Sequence, residues 1–512
     1  MTRRRRLRSA TRRVARARPR RRHSRPGRGQ LRVERRQQAA EELAERRRLR
    51  DRYRRLGNHR GQRRRFAGRI LWETRPEPFE ISTAALEAIF PFQTAGTDSR
   101  AGIAIGPSPT GGTFTFDPWM LYQAGHLTNP NVLIVGDVGS GKSALAKSLV
   151  WRGLEFGRGA HIVDPKGEYA GLADAVGVEP IALRPGGGTI LNPLDPGAAG
   201  HDLPPTDLFH RNISTVRALV EATLGRACRQ LEMVLLTATL ARVTSLDVGD
   251  HARPSLTRHG HTATLPMLAE ALMAPDREVA LRVNMDPGRV IEESRELALA
   301  MARLVDDHGD LGGMFAGHTN LDADAVGPLT VVDIAAIYRS HRAALPLVMI
   351  AAAAWLQLAV AASRRGWFQV NDEAWALLSD EASARWMQTN QKLARQLSLS
   401  VVNVMHRLSD TAAAGDAGST TRSLAEGVIT DSGTWVIYRQ KPGEQRLLRD
   451  TLQLNQLQAS LTTQLTRGRA LWIVGGETRQ VTLVDHVLSD IERHLVDTDH
   501  AFAAAVDMPP NA

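Results

Sequence analysis

Short apolar runs, separated by polar and glycine-rich turns, recur along the chain from about residue 100 onward. Runs of this length predict buried strands. They occur at 132–135, 159–164, 329–334, 367–371, 399–405, 434–438, 471–474 and 480–484. The last two flank a glycine turn and predict a hairpin, as do the alternating residues around the Pro/Gly turn of 102–118. Residues 201–325 change to the period of amphipathic helices.

One apolar run, 345–362, is long enough to be either a membrane span or a buried core helix. It is rich in alanine, is interrupted by Gln357, and leads directly into a predicted strand, which favours the core helix. Residues 1–30 contain no apolar run of seven residues, so no signal peptide is predicted.

The most informative stretch is the strand 132–135, which is followed by a glycine loop and a helical pattern. The loop matches the pattern G-x-x-x-x-G-K-S/T in full and in the context that this motif requires. Its glycines let backbone N–H groups surround phosphate oxygens, and the helix N-terminus adds a positive dipole end. Lys142 is expected to reach the outer phosphates, and the Ser143 hydroxyl to bind Mg²⁺. The predicted nucleotide-binding residues are Gly136, Asp137, Val138, Gly139, Ser140, Gly141, Lys142, Ser143 and Ala144.

Two carboxylates follow the strand 367–371. Asp372 is predicted to complete the Mg²⁺ site, and Glu373 to activate the attacking water as a general base. The alternative is that both carboxylates simply end a strand that faces solvent. The glycine loop elsewhere in the chain disfavours this alternative. We therefore expect the strands that end near residues 135 and 371 to lie side by side.

Two more strand ends carry candidate polar residues. Asp164, Lys166 and Glu168 follow the strand 159–164, at the edge where α/β sheets bind ligands; an ordinary polar turn is the alternative. His406 follows the strand 399–405 and would lie beside the terminal phosphate if that strand neighbours the other two. A structural cap is the alternative for this histidine.

Charge is distributed very unevenly along the chain. Residues 1–69 contain 29 arginines and five acids, a net charge of +24, which leaves −12 for the remainder of a chain whose total is +12. Such an arm could contact DNA or anionic lipid, with a helix over 37–55; a solvated tail or a translation start placed too early explains it equally well. Arginine bias is weak evidence here, whereas the five lysines are more informative. The single cysteine, Cys228, excludes an internal disulfide and predicts a reducing compartment.

By the order of these motifs, the chain resembles the conjugative type IV secretion motor ATPases, the TraC and VirB-four-like family of the FtsK/HerA group. The resemblance covers about residues 101–490. The segments that carry it are Gly136 to Ser143, Asp164 to Tyr169, Leu191 to Asp195, the helical region, Gly309 to Phe315, Asp372 to Trp375, Leu399 to Asp410 and Gly468 to Trp472.

The resemblance implies an α/β fold: a P-loop NTPase core of the ASCE, RecA-like type, with a parallel sheet and an inserted all-helical subdomain. It also implies ATP and Mg²⁺ as cofactors, a homo-hexamer, and an arginine supplied by the neighbouring subunit, for which Arg395, Arg407 and Arg439 are candidates. His406 departs from the family, which usually has a glutamine after this strand, and the family's large N-terminal domain has no room here.

Six segments are therefore expected. They are a basic disordered or helical arm (1–69), a small β lead-in (70–130), the first part of the ATPase core (131–200), the helical insertion (201–325), the second part of the core (326–490) and a tail (491–512).

The expected function is ATP hydrolysis that powers conjugative transfer or type IV secretion, with membrane secretion-channel proteins as partners. The expected location is cytoplasmic, peripherally associated with the inner face of the cell membrane. Two alternatives remain: an FtsK/HerA-like DNA translocase or coupling protein, and a nucleotide-binding assembly factor with little hydrolysis. The intact Asp372–Glu373 pair disfavours the assembly factor, and the absence of membrane helices before the core disfavours a coupling protein.

Overall fold

A computed structural model describes residues 102–108, 112–196, 203–244, 262–321, 326–360, 365–409, 419–475 and 479–496. All of these residues belong to one unit, Pro78–Ala512. The basic arm, its predicted helix at 37–55 and most of the predicted lead-in lie outside the described residues. The predicted segment boundaries stay a prediction.

Eleven strands form in the described residues, and most coincide with the apolar runs of the sequence. They are β1 Ile103–Pro107, β2 Thr113–Phe116, β3 Val132–Val135, β4 Gly159–Asp164, β5 Ile181–Ala182, β6 Leu329–Asp333, β7 Trp367–Asn371, β8 Leu399–Met405, β9 Thr434–Ile437, β10 Arg469–Val474 and β11 Gln480–Asp485. Nine of them form one sheet in the order β11-β10-β9-β3-β8-β7-β4-β6-β5. The seven strands from β9 to β5 run parallel, and β10 and β11 add an antiparallel edge. Both predicted hairpins, β1–β2 and β10–β11, are confirmed.

The expectation that β3 and β7 are direct neighbours is wrong. β8 lies between them and pairs in parallel with both: Leu133 is opposite Asn403, and Asn403 is opposite Asn371. An apolar run shows that a strand is buried but carries no information about which strand it pairs with. The carboxyl ends of β3, β8 and β7 still meet at one edge of the sheet, because all three strands are parallel.

Fifteen α-helices lie in the described residues. They are α1 Pro118–Gln123, α2 Lys142–Glu155, α3 Ala170–Val176, α4 Pro205–Leu224, α5 Gln230–Val243, α6 Leu265–Met273, α7 Arg277–Arg282, α8 Pro287–Val305, α9 Ala335–Ser340, α10 Leu345–Ala359, α11 Glu381–Leu393, α12 Thr420–Thr430, α13 Gln445–Leu452, α14 Gln456–Thr462 and α15 Asp490–Val496. Short 3-10 helices occur at Arg342–Ala344, Ala374–Leu378, Ala394–Leu397 and Pro442–Glu444. Within 203–244 and 262–321, every regular element is a helix, as the periodicity predicts.

The sheet separates two apolar cores, because successive side chains of a strand point to opposite faces. Leu133 and Val135 of β3 enter the core that contains α10, α11, α12 and the helices of 203–305. Val132 and Ile134 enter the other core, together with α2, α3 and the β1–β2 hairpin. The central strands are buried on both faces, which explains their continuous apolar runs.

Among the described residues, one helix, Arg342–Ala359, is long and apolar enough to cross a membrane by length and composition, and 72% of it is buried inside the fold. Gln357, which interrupts its apolar run, is buried and donates a hydrogen bond to the Gln369 side chain of β7 at 2.9 Å. This burial against the sheet is that of a core helix, as the sequence predicts.

One buried histidine creates a specific sensitivity to acid. His161 of β4 is fully buried, its ring lies 4.6 Å from that of Trp367, and neither ring nitrogen has a hydrogen-bond partner among the described residues. Burial lowers the pKa of His161 to about 3. The folded protein therefore keeps this imidazole neutral while the unfolded chain takes up a proton below about pH 6.5.

We expect the free energy of unfolding to fall as the pH drops from about 6.5 toward about 3, with His161 contributing about 1 kcal/mol of this loss at pH 5.5. Chemical denaturation of wild type and His161→Leu at pH 7.5 and 5.5 measures this contribution as the difference between their pH dependences. His308→Leu, at an exposed histidine, is the control. An identical pH dependence in wild type and His161→Leu would contradict the assignment.

Candidate functional site

The glycine loop lies between β3 and α2 at the carboxyl edge of the sheet. Gly139 and Gly141 have φ angles of 73° and 114°, in the left-handed region that favours glycine. Gly141 is the N-cap of α2, and no side chain caps the helix. The first backbone N–H groups of α2 are thus available to an anion, as the physics of helix N-termini requires.

Lys142, the first residue of α2, is only 5% exposed. Its ammonium donates to the backbone carbonyl of Asp137 at 3.0 Å. Burial lowers the pKa of Lys142 to about 8, although the carboxylates of Asp372 and Glu373 oppose the effect. The acidic pair after β7 therefore lies close enough to the lysine of the loop to affect its pKa.

Backbone hydrogen bonds hold the loop to the neighbouring strands. Gly136 N–H donates to Met405 at the end of β8, and Asp137 N–H donates to Arg439 just after β9, at 3.3 and 2.8 Å. Gly468, just before β10, donates to the carbonyl of Ser140 at 2.9 Å. The loop is thus fixed by the sheet itself.

Asp372 follows β7 directly and is 4% exposed. Its Oδ1 accepts the backbone N–H of Glu373 at 3.0 Å, and its Oδ2 accepts the hydroxyl of Tyr169 at 3.4 Å. Burial raises the pKa of Asp372 to about 6, and the nearby carboxylates of Glu373 and Glu168 add to the effect. A cation close to this buried carboxylate would therefore stabilise its ionised form.

Glu373 is 2% exposed and has a φ of 55°, unusual for a residue other than glycine. Its Oε1 accepts the Lys166 ammonium and His406 Nε2, the latter at 2.9 Å, and its Oε2 accepts Trp375 Nε1. Burial alone would raise the pKa of Glu373, but the hydrogen bonds from His406 and Lys166 outweigh it and lower the pKa to about 2. The carboxylate is ionised and held from both sides.

His406 follows β8 directly, and its hydrogen-bond partner in this structure is Glu373; its predicted place beside the terminal phosphate stays a prediction. The three candidate arginines separate. Arg407 Nη2 lies 4.0 Å from Asp137 Oδ1 of its own glycine loop, and the exposed Arg439 contributes its carbonyl to the same residue. Arg395 precedes β8, so within one chain it lies at the amino ends of the parallel strands, opposite the glycine loop.

The sequence analysis named Lys166 only as a polar residue at the end of β4, without a partner. It missed three further side chains that contact the acidic pair or support it: Lys147, Tyr169 and Trp375. Three of the chain's five lysines, Lys142, Lys147 and Lys166, interact electrostatically with Asp372. A lysine is a rare choice against 61 arginines, so lysine scarcity was the signal that could have identified them.

A glycine loop between a parallel strand and a helix, with a lysine at the helix start and an acidic pair ending a nearby strand, is the nucleotide site of P-loop NTPases. The fold and the site together place the chain in this class. The sequence therefore predicts the fold class correctly.

Comparisons with known proteins identify solved structures with a similar fold. No protein-family model matches the chain, and no curated protein matches it. Among solved structures, VirB4 of Thermoanaerobacter pseudethanolicus is similar at 21% identity and a TM-score of 0.59, over 78% of this chain and 100% of that one. The resemblance to VirB-four-like proteins is thus confirmed at the level of the fold. The plasmid coupling protein TrwB in complex with ADP and Mg²⁺ matches more weakly, at 14% identity and a TM-score of 0.44, over 80% of this chain and 93% of that one.

Gly136 provides a test of how tightly the loop is held. A Cβ at this position would lie 2.4 Å from Tyr438 Cβ, so Gly136→Ala must push the loop away from the segment after β9. Such overpacking costs about 1–3 kcal/mol, and we expect nucleotide affinity to fall about tenfold or more. Titration with a fluorescent nucleotide measures it.

Gly443→Ala is the matched control for this substitution, since Gly443, like Gly136, has no positive φ, and no atom lies within 4 Å of an added Cβ at Gly443. We expect it to leave nucleotide affinity unchanged. Equal affinities of Gly136→Ala and wild type would show that the contact with Tyr438 does not hold the loop.

Proposed function

We propose that the protein hydrolyses ATP with Mg²⁺ to power conjugative transfer or type IV secretion, and that it works as a homo-hexamer. The observation that carries the proposal is the convergence of Lys142 with the buried pair Asp372 and Glu373. The similarity of the fold to VirB4 supports the choice of process.

The residues present suit a magnesium–nucleotide complex. No group of three or more His, Cys, Asp or Glu side chains in the described ranges could hold a metal by itself. Mg²⁺ is commonly bound by one or two carboxylates together with phosphate oxygens and water, so a single carboxylate suffices. Ser143 in the first turn of α2 and Asp372 after β7 would supply the protein ligands, and Lys142 would bind the outer phosphates.

Glu373 is the proposed general base. A base works best when its pKa is near the working pH, and Lys166 and His406 hold the pKa of Glu373 at about 2. We infer that these donors must withdraw from Oε1 before the carboxylate can take a proton from water. His406 acts in this proposal through Glu373, and Arg395, Arg407 and Arg439 remain the candidates for the arginine supplied by a neighbouring subunit.

The proposed setting is the inner face of the cell membrane, with secretion-channel proteins as partners. The arginine-rich residues 1–69 would contact DNA or anionic lipid through their net charge of +24. This charge is also the observation that favours the second candidate function, an FtsK/HerA-like DNA translocase.

Glu373→Gln tests whether the protein hydrolyses nucleotide through this residue. We expect phosphate release to fall about 10²- to 10⁴-fold, because the amide cannot accept a proton, while ATP binding is retained. Glu381→Gln is the control, at a partly exposed carboxylate that begins α11 and pairs with Arg385. No phosphate release from assembled wild-type protein would instead favour the assembly factor.

DNA dependence separates the motor from the translocase. We expect duplex DNA to stimulate ATP hydrolysis weakly, with the effect lost between about 50 and 200 mM salt and after deletion of residues 1–69, since binding through arginine–phosphate contacts is strongly salt-dependent. Phosphate release with and without DNA measures this. Strong stimulation that survives the deletion would establish the translocase.

A further inference from the structure

Lys147 is a buried cation without a direct partner. It lies in α2, five residues after Lys142, and is 1% exposed. Within the described part of the chain, its ammonium makes no hydrogen bond and no ion pair; instead it lies 5.4 Å from the centre of the Tyr169 ring. Burial lowers the pKa of Lys147, and Glu168, Asp164 and Asp372 oppose the effect. A buried ammonium is costly, so its presence here calls for a reason.

Tyr169 connects this lysine to the acidic pair. Its ring is fully buried, and its hydroxyl donates to Asp372 Oδ2 at 3.4 Å. Its backbone N–H donates to Asp164 Oδ2 at 2.9 Å, and the same carboxylate accepts the N–H groups of Lys166 and Gly167 through Oδ1 at 3.1 and 2.9 Å. Asp164 thus fixes the turn from which Lys166 contacts Glu373 and Tyr169 contacts Asp372.

The Asp372 carboxylate is therefore held at both oxygens. The N–H of Glu373 binds Oδ1 and the hydroxyl of Tyr169 binds Oδ2. The Lys147 ammonium lies within cation–π distance of the Tyr169 ring and brings a positive charge close to the buried acids. One helix thus carries Lys142 and Ser143, the proposed ligands of phosphate and Mg²⁺, together with Lys147.

We propose that Lys147 and Tyr169 are positioning residues for Asp372: Tyr169 fixes the orientation of its carboxylate, and Lys147 fixes the tyrosine ring. The inference rests on the proposed binding of a magnesium–nucleotide complex. It predicts that the pair sets the affinity for Mg²⁺ and has little effect on the affinity for nucleotide alone. Groups that orient metal ligands commonly contribute 10- to 100-fold in metal affinity.

The experiment uses the full chain, Mg²⁺ itself and a fluorescent ATP analogue. Nucleotide binding is titrated first in EDTA and then against increasing Mg²⁺. For Tyr169→Phe, which removes one oxygen, and for Lys147→Met, we expect the Mg²⁺ midpoint to rise about tenfold. The affinity in EDTA should stay within about twofold of wild type. Because the two residues act in series, the double variant should resemble either single variant.

Two matched controls lie outside the site. Tyr338→Phe removes the hydroxyl of a tyrosine whose ring also forms a cation–π pair, here with Arg342 on the segment after α9. Lys392→Met removes a largely exposed lysine that lies 3.9 Å from Asp431. Both should keep the wild-type Mg²⁺ midpoint.

Three results would overturn the inference. They are an unchanged Mg²⁺ midpoint in Tyr169→Phe, an equal loss of affinity with and without Mg²⁺, and additive effects in the double variant. If Lys147→Met does not fold, Tyr169→Phe alone decides. Failure of the proposed function looks different, because wild-type protein would then show no Mg²⁺-dependent nucleotide binding at all.

Discussion

Burying two adjacent carboxylates at the end of one strand is the constraint on which the rest of the site depends. Asp372 and Glu373 are 4% and 2% exposed, and uncompensated charges in a protein interior cost several kcal/mol each. The chain compensates with lysines from two directions: Lys142 and Lys147 from the helix after the glycine loop, and Lys166 from the turn after β4. A lysine ammonium is compact and fits where a planar guanidinium would not. The two acids differ because burial raises the pKa of Asp372, whereas for Glu373 the hydrogen bonds from His406 and Lys166 outweigh burial and lower the pKa.

The parallel sheet makes this convergence possible. β3, β8 and β7 end at one edge, so the glycine loop, His406 and the acidic pair come together although 230 positions separate Lys142 from Asp372. Backbone hydrogen bonds from Gly136 and Asp137 join the loop to the ends of β8 and β9. Apolar cores on both faces keep the strands in register. The charges are therefore placed by rigid elements, which is what a preorganised site needs.

The parts that could be predicted from sequence are those encoded locally. Four apolar residues, a glycine loop and a helical period specify β3, the loop and α2 without reference to the rest of the chain. Strand order is not encoded in this way, and the position of β8 between β3 and β7 was therefore mispredicted. The partner of His406 also depends on tertiary structure. The sequence shows that His406 follows β8, but its hydrogen bond to Glu373 depends on the strand order. The sequence shows Lys147 only as one residue of a helix, because its contact with the Tyr169 ring depends on the fold.

Anomalous scattering from Mn²⁺, in crystals of the protein with a non-hydrolysable ATP analogue, tests the convergence of these groups most directly. The arrangement predicts one strong peak per chain, bound by Ser143 Oγ and by the Asp372 carboxylate directly or through water, with Lys142 on the outer phosphates. A metal peak away from Asp372, or a nucleotide bound elsewhere than the glycine loop, would contradict it.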